Sequence, residues 1–239
     1  MTERLEVNIW RGAEAGRLVR YDVPARANQT VLDVVTWIQR NLEPALAYRF
    51  ACRVGVCGSC AMLVNGASRW TCRTHVSKVV QDGQLTIEPL RNLPRIRDLV
   101  TDFKPFFDAW TEAGGVFTGE RSRAQPPAPV DPESPQRQAA DAGIECINCA
   151  ACYSACDVVA WDKSYLGPAA LNRAWTLLND ERHVEKASLL EKVQSRNGCY
   201  RCHTLGGCAT ACPVGINPTA AIAGLKQASV RKLRKRMPI

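Results

Sequence analysis

Twelve cysteines, gathered in short runs, constrain this chain more than any other feature. The first run has the spacing C-x4-C-x2-C, with one more cysteine further along the chain, and the second has C-x2-C-x2-C-x3-C. The third run, C-x2-L-x2-C-x3-C-P, has Leu205 where the second has a cysteine. Thiolates at these spacings hold iron–sulfur clusters. The chain therefore needs loops that wrap around metal clusters, and we predict that it carries electrons.

Length and composition indicate where these cysteines work. At 239 residues, the chain is long enough for two domains with separate cores. The segment MTERLEVNIW resembles neither a signal peptide nor an organelle transit peptide. We therefore expect a reducing compartment, where clustered cysteines are metal ligands rather than disulfides. No stretch approaches the roughly 18 apolar residues of a membrane span, so we predict no transmembrane helix.

The net charge of +8 is concentrated near the C-terminus. The basic residues there are Lys226, Arg231, Lys232, Arg234, Lys235 and Arg236. Such a tail suits an anionic membrane surface, a nucleic acid or an acidic protein. A solvated helix end, whose cations suit the helix dipole, is the plainer alternative. Because the chain has no nucleic-acid recognition motif, we expect no nucleic-acid partner.

The first hundred residues have the pattern of a small α+β domain. Alternating apolar residues predict a strand over 5–9, with a hairpin partner over 16–23. Thr30 can cap the helix that follows. Further strands are predicted over 61–64 and 85–89, each next to a tight-turn signal. Strands around one helix, with a cysteine loop after that helix, fit a β-grasp ferredoxin fold.

The second half of the sequence has a different pattern. We predict a connecting helix over 96–113, and the segment QPPAPVDPESP has the composition of a stiff linker. Strand signals are absent from about residue 138, and we predict helices over 171–179, 183–194 and 219–236. The predicted organisation is a β-grasp [2Fe–2S] domain over 1–100, a connecting helix and linker over 101–137, and an all-α ferredoxin-like domain with two cubane-type clusters over 138–239.

The first cysteine set matches the loop of plant-type [2Fe–2S] proteins. Its members are Cys52, Cys57, Cys60 and Cys72. Gly55 and Gly58 allow unusual backbone dihedrals, and their amides can donate to the cluster sulfurs. A structural zinc site is the alternative, although zinc prefers paired C-x2–4-C knuckles.

The second run is that of bacterial two-cluster ferredoxins, in which the fourth cysteine ligates the other cluster. This pattern assigns one [4Fe–4S] cluster to Cys146, Cys149, Cys152 and Cys212. It assigns the remaining cluster to Cys156, Cys202 and Cys208.

Leu205 leaves that remaining cluster one thiolate short. Three cysteines suit a [3Fe–4S] cluster. The alternative is a [4Fe–4S] cluster whose fourth iron takes water or Cys199. Cys199 is the one cysteine outside the ligand scheme, and we expect it to be a free thiol.

The three cluster motifs, in this order and on these two domains, resemble the iron–sulfur subunit of succinate dehydrogenase and fumarate reductase. The resemblance covers nearly the whole chain and includes CRVGVCGSCAMLVNG, RIRDLVTDF, CINCAACYSAC, YLGPAAL and CATACPVGINP. It implies a subunit that passes electrons from FAD on a flavoprotein subunit, through [2Fe–2S], [4Fe–4S] and [3Fe–4S] clusters, to a membrane quinone. It also implies an integral anchor subunit, with or without haem b, at the cytoplasmic face of the bacterial plasma membrane. Because the chain lacks a G-x-G-x-x-G loop, the flavin is expected on another chain.

The resemblance further implies a quinone site that includes Trp161 and His203. An indole N–H can bond a quinone carbonyl, and a histidine can deliver protons near neutral pH. The alternative role for both is packing around the cluster. Asp157 stands where the family usually has the proline of a Pro-Ser pair. The other two histidines, His75 and His183, have no such context, and we expect them at the surface.

The direction of electron flow has two possible assignments. Trp161 and His203 match the dehydrogenase branch and favour succinate oxidation. In the alternative, quinol:fumarate reduction, electrons pass through the same clusters in the reverse direction. An iron–sulfur subunit of another flavoenzyme is a further alternative. Such subunits usually keep complete four-cysteine runs and lack a β-grasp domain, so Leu205 and the first cysteine set argue against it.

Overall fold

The structure is a computed structural model that describes residues 4–122 and 124–236, with side chains as far as residue 231. The chain divides into two compact units. The first unit combines Met1–Phe103 with Ile147–Ala155, and the second combines Lys104–Cys146 with Cys156–Ile239. The second cysteine run is therefore divided, because its two middle cysteines belong to the first unit.

A five-stranded sheet forms the frame of the first unit, in the order β2-β1-β5-β3-β4. Strands β1 and β5 are parallel, and the other neighbours are antiparallel. The strands are β1 (Arg4–Arg11), β2 (Arg17–Pro24), β3 (Ala61–Val64), β4 (Ala67–Trp70) and β5 (Gln84–Glu88). Apolar residues of these strands and of helix α1 (Val31–Asn41) share one core. The predicted α+β fold, with its N-terminal ferredoxin domain, is confirmed.

Helix α1 begins with a capping box at Thr30, as its sequence predicts. The Thr30 hydroxyl accepts from the Asp33 amide at 3.2 Å, and the Asp33 carboxylate accepts from the Thr30 amide at 3.0 Å. The next two amides donate outside the helix, from Val31 to the Thr74 carbonyl at 2.9 Å and from Leu32 to the Thr71 carbonyl at 3.1 Å. The start of α1 therefore holds the turn that contains Cys72.

The helix predicted over 96–113 begins later than expected. Strands β6 (Arg95–Arg97) and β7 (Val100–Thr101) form a hairpin first, and α2 spans Lys104–Glu112. Asp98 explains the difference. It lies in the turn of this hairpin with a φ of 50°, and it is only 1% exposed. Its carboxylate accepts from the amides of Gly12 and Ala47, both at 2.8 Å. These distant donors were not visible in the local sequence pattern.

Helices form the second unit, and the described residues beyond Thr101 contain no strand. The central helix, α6 (Gly167–Asn179), packs against α2, α3 (Pro135–Ile144), α7 (Lys186–Val193) and α9 (Pro218–Arg236). The short helices α5 (Asp157–Trp161) and α8 (Gly207–Thr210) follow cysteine-containing turns, whereas α4 (Ala151–Ser154) belongs to the first unit. No helix in the described part of the chain is long and apolar enough to cross a membrane.

The prediction of a surface position is wrong for His183, which is 3% exposed. Its Nδ1 accepts from the Thr118 amide at 3.1 Å, and its Nε2 has no hydrogen-bond partner. His75 is half-buried and lies in a bridge to Thr30. Both histidines contact segments that are far away in sequence. The residues next to a histidine in the sequence do not reveal such contacts.

Candidate iron–sulfur sites

The first cysteine set surrounds one loop of the first unit. The amides of Val56 and Cys57 donate to the Cys52 sulfur at 3.3 and 3.4 Å. Positive φ angles at Arg53 (58°) and Gly55 (80°) curl the backbone so that these amides point inward. The donors, the Cys57 amide foremost, lower the pKa of Cys52 to about 6. The loop is therefore built to stabilise a thiolate.

The other two members of this set lie deeper in the first unit. Cys60 and Cys72 are buried and pack with Leu32 at the start of α1. Burial raises the pKa of Cys72 to about 12, and the adjacent Cys60 thiol adds to the effect. The Gly55 amide lowers the pKa of Cys72, whereas the charge of Cys52 raises it. The Cys57 side chain in turn acts on Cys52, so the four cysteines lie around one loop. Inward-pointing amides there suit the sulfurs of a [2Fe–2S] cluster.

Cys149 lies beside this loop, and Cys152 belongs to the same unit. A Cβ placed on Gly58 would be 2.7 Å from the Cys149 Cβ, so the two cysteine segments touch. Buried Ser154 anchors the second segment, because its hydroxyl lies 3.1 Å from the Ser68 hydroxyl and accepts from the Arg91 amide at 2.9 Å. The local sequence does not predict this contact, although it has a glycine, Gly58, at the point where the two segments approach each other.

Cys146 and Cys212 belong to the second unit. The Ile216 amide donates to the Cys212 sulfur at 3.3 Å, which is the type of donor seen at Cys52. Cys146 lies close enough to Arg173 for their charges to interact. The assignment of these two cysteines, with Cys149 and Cys152, to one [4Fe–4S] cluster stays a prediction.

The three remaining predicted ligands come together within the second unit. Burial raises the pKa of both Cys156 and Cys208, and the nearby charge of Cys202 raises each further. The Cys208 sulfur lies 3.4 Å from the Thr219 hydroxyl, and the Thr204 amide donates to the Cys202 sulfur at 3.4 Å. A third sulfur beside two buried thiols whose pKa is raised suits a site in which metal supplies the compensating charge.

Leu205 and Cys199 differ sharply in exposure. Leu205 is 57% exposed, so its side chain extends from the loop between Cys202 and Cys208 toward the outside. Cys199 is completely buried, and burial raises the pKa of its thiol. Among the described residues, no three ligand side chains stand at the spacing required for a single metal ion.

The two residues assigned to the quinone site are accessible. Trp161 ends α5 and is 73% exposed, and His203 is exposed directly after Cys202. Their role in binding quinone stays a prediction.

Tyr165 is a neighbour of the third site that the sequence analysis did not single out. It is 1% exposed, and it lies close enough to Cys202 and Cys156 for their charges to act on its hydroxyl. Burial, followed by the charges of Cys202 and Cys156, raises the pKa of Tyr165 and keeps its hydroxyl protonated. In the sequence, Tyr165 opens the segment YLGPAAL, one of the segments that carry the family resemblance.

Comparisons with known proteins agree with this arrangement. Residues 5–108 match the family model of a 2Fe-2S iron-sulfur cluster binding domain, and residues 143–216 match that of a 4Fe-4S dicluster domain. The chain is 36% identical to the fumarate reductase iron-sulfur subunit of Mycobacterium tuberculosis, across 90% of this chain and 87% of that protein. It is 34% identical to the mitochondrial succinate dehydrogenase [ubiquinone] iron-sulfur subunit 1 of Oryza sativa, across 82% and 70%.

A solved structure also has the same fold over the full length. A chain of the Mycobacterium smegmatis Sdh1 complex in the apo form superposes with a TM-score of 0.86 at 28% identity, and all of both chains is covered. The similarity therefore extends across both cysteine-bearing units rather than one domain alone.

Proposed function

Since the chain belongs to the iron–sulfur subunits of succinate dehydrogenase and fumarate reductase, we propose that it carries electrons between FAD on a flavoprotein subunit and a membrane quinone. Iron–sulfur clusters supply one-electron chemistry when bound. The observation that carries the proposal is the convergence of two cysteine sets, one in each unit, around separate sites. The chain itself performs no dicarboxylate chemistry.

The cluster at Cys156, Cys202 and Cys208 is proposed to be [3Fe–4S]. Leu205 supports this assignment, because it offers no ligand atom and its side chain is exposed. The complete burial of Cys199, which raises the pKa of its thiol, supports a free thiol rather than a fourth ligand.

The flavoprotein subunit is proposed to dock at the [2Fe–2S] loop. Val54 and Val56 lie on that loop and are 62% and 65% exposed, which is unusual for apolar side chains beside a metal site. Covering them would exclude water and shorten the path between flavin and cluster. The occupant of this surface would thus be the subunit that carries FAD.

The quinone and the anchor subunit are proposed to meet the second unit around Trp161, His203 and Leu205. All three side chains are exposed near the third cysteine site, and two of them are apolar. The indole N–H and the imidazole supply polar groups suited to a quinone carbonyl. Through this anchor the chain would lie at the cytoplasmic face of the bacterial plasma membrane, with haem b, where present, on the anchor.

The proposed direction is from succinate to quinone, because Trp161 and His203 match the dehydrogenase branch. The reverse direction is the second candidate, and the 36% identity to a protein named as a fumarate reductase subunit favours it. Steady-state assays of the purified complex, in both directions and with quinones of high and low potential, separate the two. A faster rate of fumarate reduction with every quinone would reject the proposed direction.

EPR of the full chain tests the cluster assignment. Reduced protein should show the [2Fe–2S] signal, and air-oxidised protein should show a three-iron signal, because an oxidised [3Fe–4S] cluster is paramagnetic. If cluster-replete, oxidised protein gives no three-iron signal, the assignment that rests on Leu205 is wrong.

A further inference from the structure

A threonine in the first turn of α9 lies beside one of the proposed ligands of the third cysteine site. The hydroxyl of Thr219 is 3.4 Å from the sulfur of Cys208. Both residues belong to the second unit, and this sulfur is the only hydrogen-bond partner of the hydroxyl among the described residues. A cysteine that ligates iron is a thiolate without a proton of its own. The hydroxyl must then donate, and the sulfur must accept.

The start of α9 fixes the place of this hydroxyl. Asn217 caps the helix, because its side-chain oxygen accepts from the Ala220 amide at 3.1 Å and its carbonyl accepts from the Ala221 amide at 3.4 Å. Pro218 is buried at the first helical position, where proline suits the helical backbone. The cap therefore does not use the Thr219 hydroxyl, which bonds to the cysteine sulfur instead.

The donors at two neighbouring sulfurs differ in what the sequence must supply. The Cys202 sulfur accepts from the Thr204 amide at 3.4 Å, and any residue other than proline provides such an amide. The bond to Cys208 instead requires a hydroxyl on the side chain at position 219. A substitution can therefore remove this donor without changing the backbone of either loop.

Hydrogen bonds to ligating sulfur tune the potential of an iron–sulfur cluster. A donor stabilises the more negative, reduced state more than the oxidised state, because it interacts with the charge that reduction adds. The potential of the cluster is therefore higher with the donor than without it.

We propose that Thr219 is a positioning residue that acts through Cys208: its hydrogen bond to the sulfur raises the reduction potential of the cluster at the third cysteine site. The inference rests on the proposed function, because it takes Cys156, Cys202 and Cys208 as cluster ligands. Its consequence is that the cluster becomes a better electron acceptor without any change of ligand.

Thr219→Val tests this inference, because it removes the hydroxyl and keeps the branched shape of the side chain. The experiment is a redox titration of the cluster-replete full chain, followed by the EPR signal of the third cluster. The equilibrium constant for reduction should fall about threefold to tenfold, which is roughly 30 to 60 mV at 59 mV per tenfold change. The potential of the [2Fe–2S] cluster should stay unchanged.

Thr210→Val is the matched control. Thr210 lies two residues after Cys208, but its hydroxyl bonds to the Gly206 carbonyl at 3.4 Å rather than to a sulfur. The same chemical change at this position should leave the potential of the third cluster at its native value. An equal fall in both valine variants would overturn the specific role of Thr219.

Thr219→Ser is the rescue variant, because it keeps a hydroxyl at the same position. It should restore most of the potential that Thr219→Val loses, which a purely steric role of the threonine would not explain. A native potential in Thr219→Val, or the same lowered potential in the serine and valine variants, would refute the inference.

Thr219→Ala covers the case in which Thr219→Val loses its cluster, and it should show the same lowered potential. Loss of the cluster in both variants, with retention in Thr219→Ser, would mean that the hydroxyl holds the cluster rather than tunes it, and would also refute the inference. Failure of the proposed cluster type is distinguishable. The native chain would then lack a three-iron signal, whereas the potential of the cluster that is present can still be titrated in each variant.

Discussion

Backbone amides donate hydrogen bonds to three of the described cysteine sulfurs. Cys52 accepts from Val56, Cys202 from Thr204 and Cys212 from Ile216, at distances of 3.3 to 3.4 Å. In each case the donor follows its cysteine by only two to four residues, so the loop itself supplies it. These donors therefore follow from the conformation of each loop.

Leu205→Cys should convert the third cluster from three irons to four and lower its potential. The new thiolate would stand at the position that holds a ligand in complete four-cysteine runs, and it adds negative charge to the cluster. EPR and iron analysis of the purified chain measure the change. Leu205→Ala is the control, because it removes the side chain without adding a ligand. An unchanged spectrum in the cysteine variant would contradict the ligand scheme.

Buried His183 should make the stability of the chain sensitive to pH. Burial lowers the pKa of His183 below its ordinary value of about 6.5, so the unfolded chain binds a proton that the folded chain excludes. The stabilising effect is complete above about pH 6.5 and is lost as the pH falls from there toward the folded-state pKa. The slope that this group adds is at most about 1.4 kcal/mol per pH unit.

His183→Gln removes the titrating group and keeps an oxygen that can accept from the Thr118 amide. Thermal unfolding under anaerobic conditions, at several pH values from 7.5 down to 5.5, should show a weaker pH dependence in the variant. Equal pH dependence of the melting temperature in both proteins would show that His183 does not titrate in this way.

Among the secondary-structure elements, α4 and the preceding turn show how one cysteine segment is attached to the first unit. The Ser68 hydroxyl and the Arg91 amide donate to the Ser154 hydroxyl. The Asn92 side chain donates to the Tyr153 carbonyl. The loop that contains Gly58 contacts the same segment at Cys149. The element is only four residues long, so these contacts, rather than helix propensity, stabilise it.

Gly58→Ala should therefore displace the segment Ile147–Ala155. Gly58 has φ of 69°, and its new Cβ would lie 2.7 Å from the Cys149 Cβ. Gly83→Ala is the matched control, because Gly83 has φ of 75° but no neighbour within 4 Å of a built Cβ. Both variants carry a left-handed backbone strain of about 1 to 2 kcal/mol.

The two alanine variants should differ in stability and in cluster content. Thermal unfolding should show a larger fall in melting temperature for Gly58→Ala, and EPR of the reduced protein should show a weaker [4Fe–4S] signal in that variant alone. Equal losses in both proteins would mean that the steric contact with Cys149 is unimportant.

For the molecule as a whole, two cysteine sets are complete within separate units. The first unit contains all four proposed [2Fe–2S] ligands, and the second contains all three proposed [3Fe–4S] ligands. The loss of one cluster should therefore leave the other in place. This independence is testable without any partner subunit.

Cys72→Ser should abolish the [2Fe–2S] signal and leave the oxidised three-iron signal at its native intensity per chain. Cys199→Ala is the control at a cysteine that is buried but lies outside the ligand scheme, and it should leave every cluster signal intact. EPR with iron quantification measures both variants. Loss of the three-iron signal in Cys199→Ala would instead favour Cys199 as a ligand.

The sequence by itself determined the cluster motifs, the strands β1, β2, β3 and β5, the Thr30 cap and the helical character of the second half. These features depend on residue spacing and on periodicity over short segments, which a linear pattern contains. Only the tertiary structure decided that Ile147–Ala155 groups with the first unit and that His183, Asp98 and Tyr165 are buried. Each of these outcomes depends on partners distant in sequence, because burial and hydrogen bonding at such positions arise only when separate segments pack together.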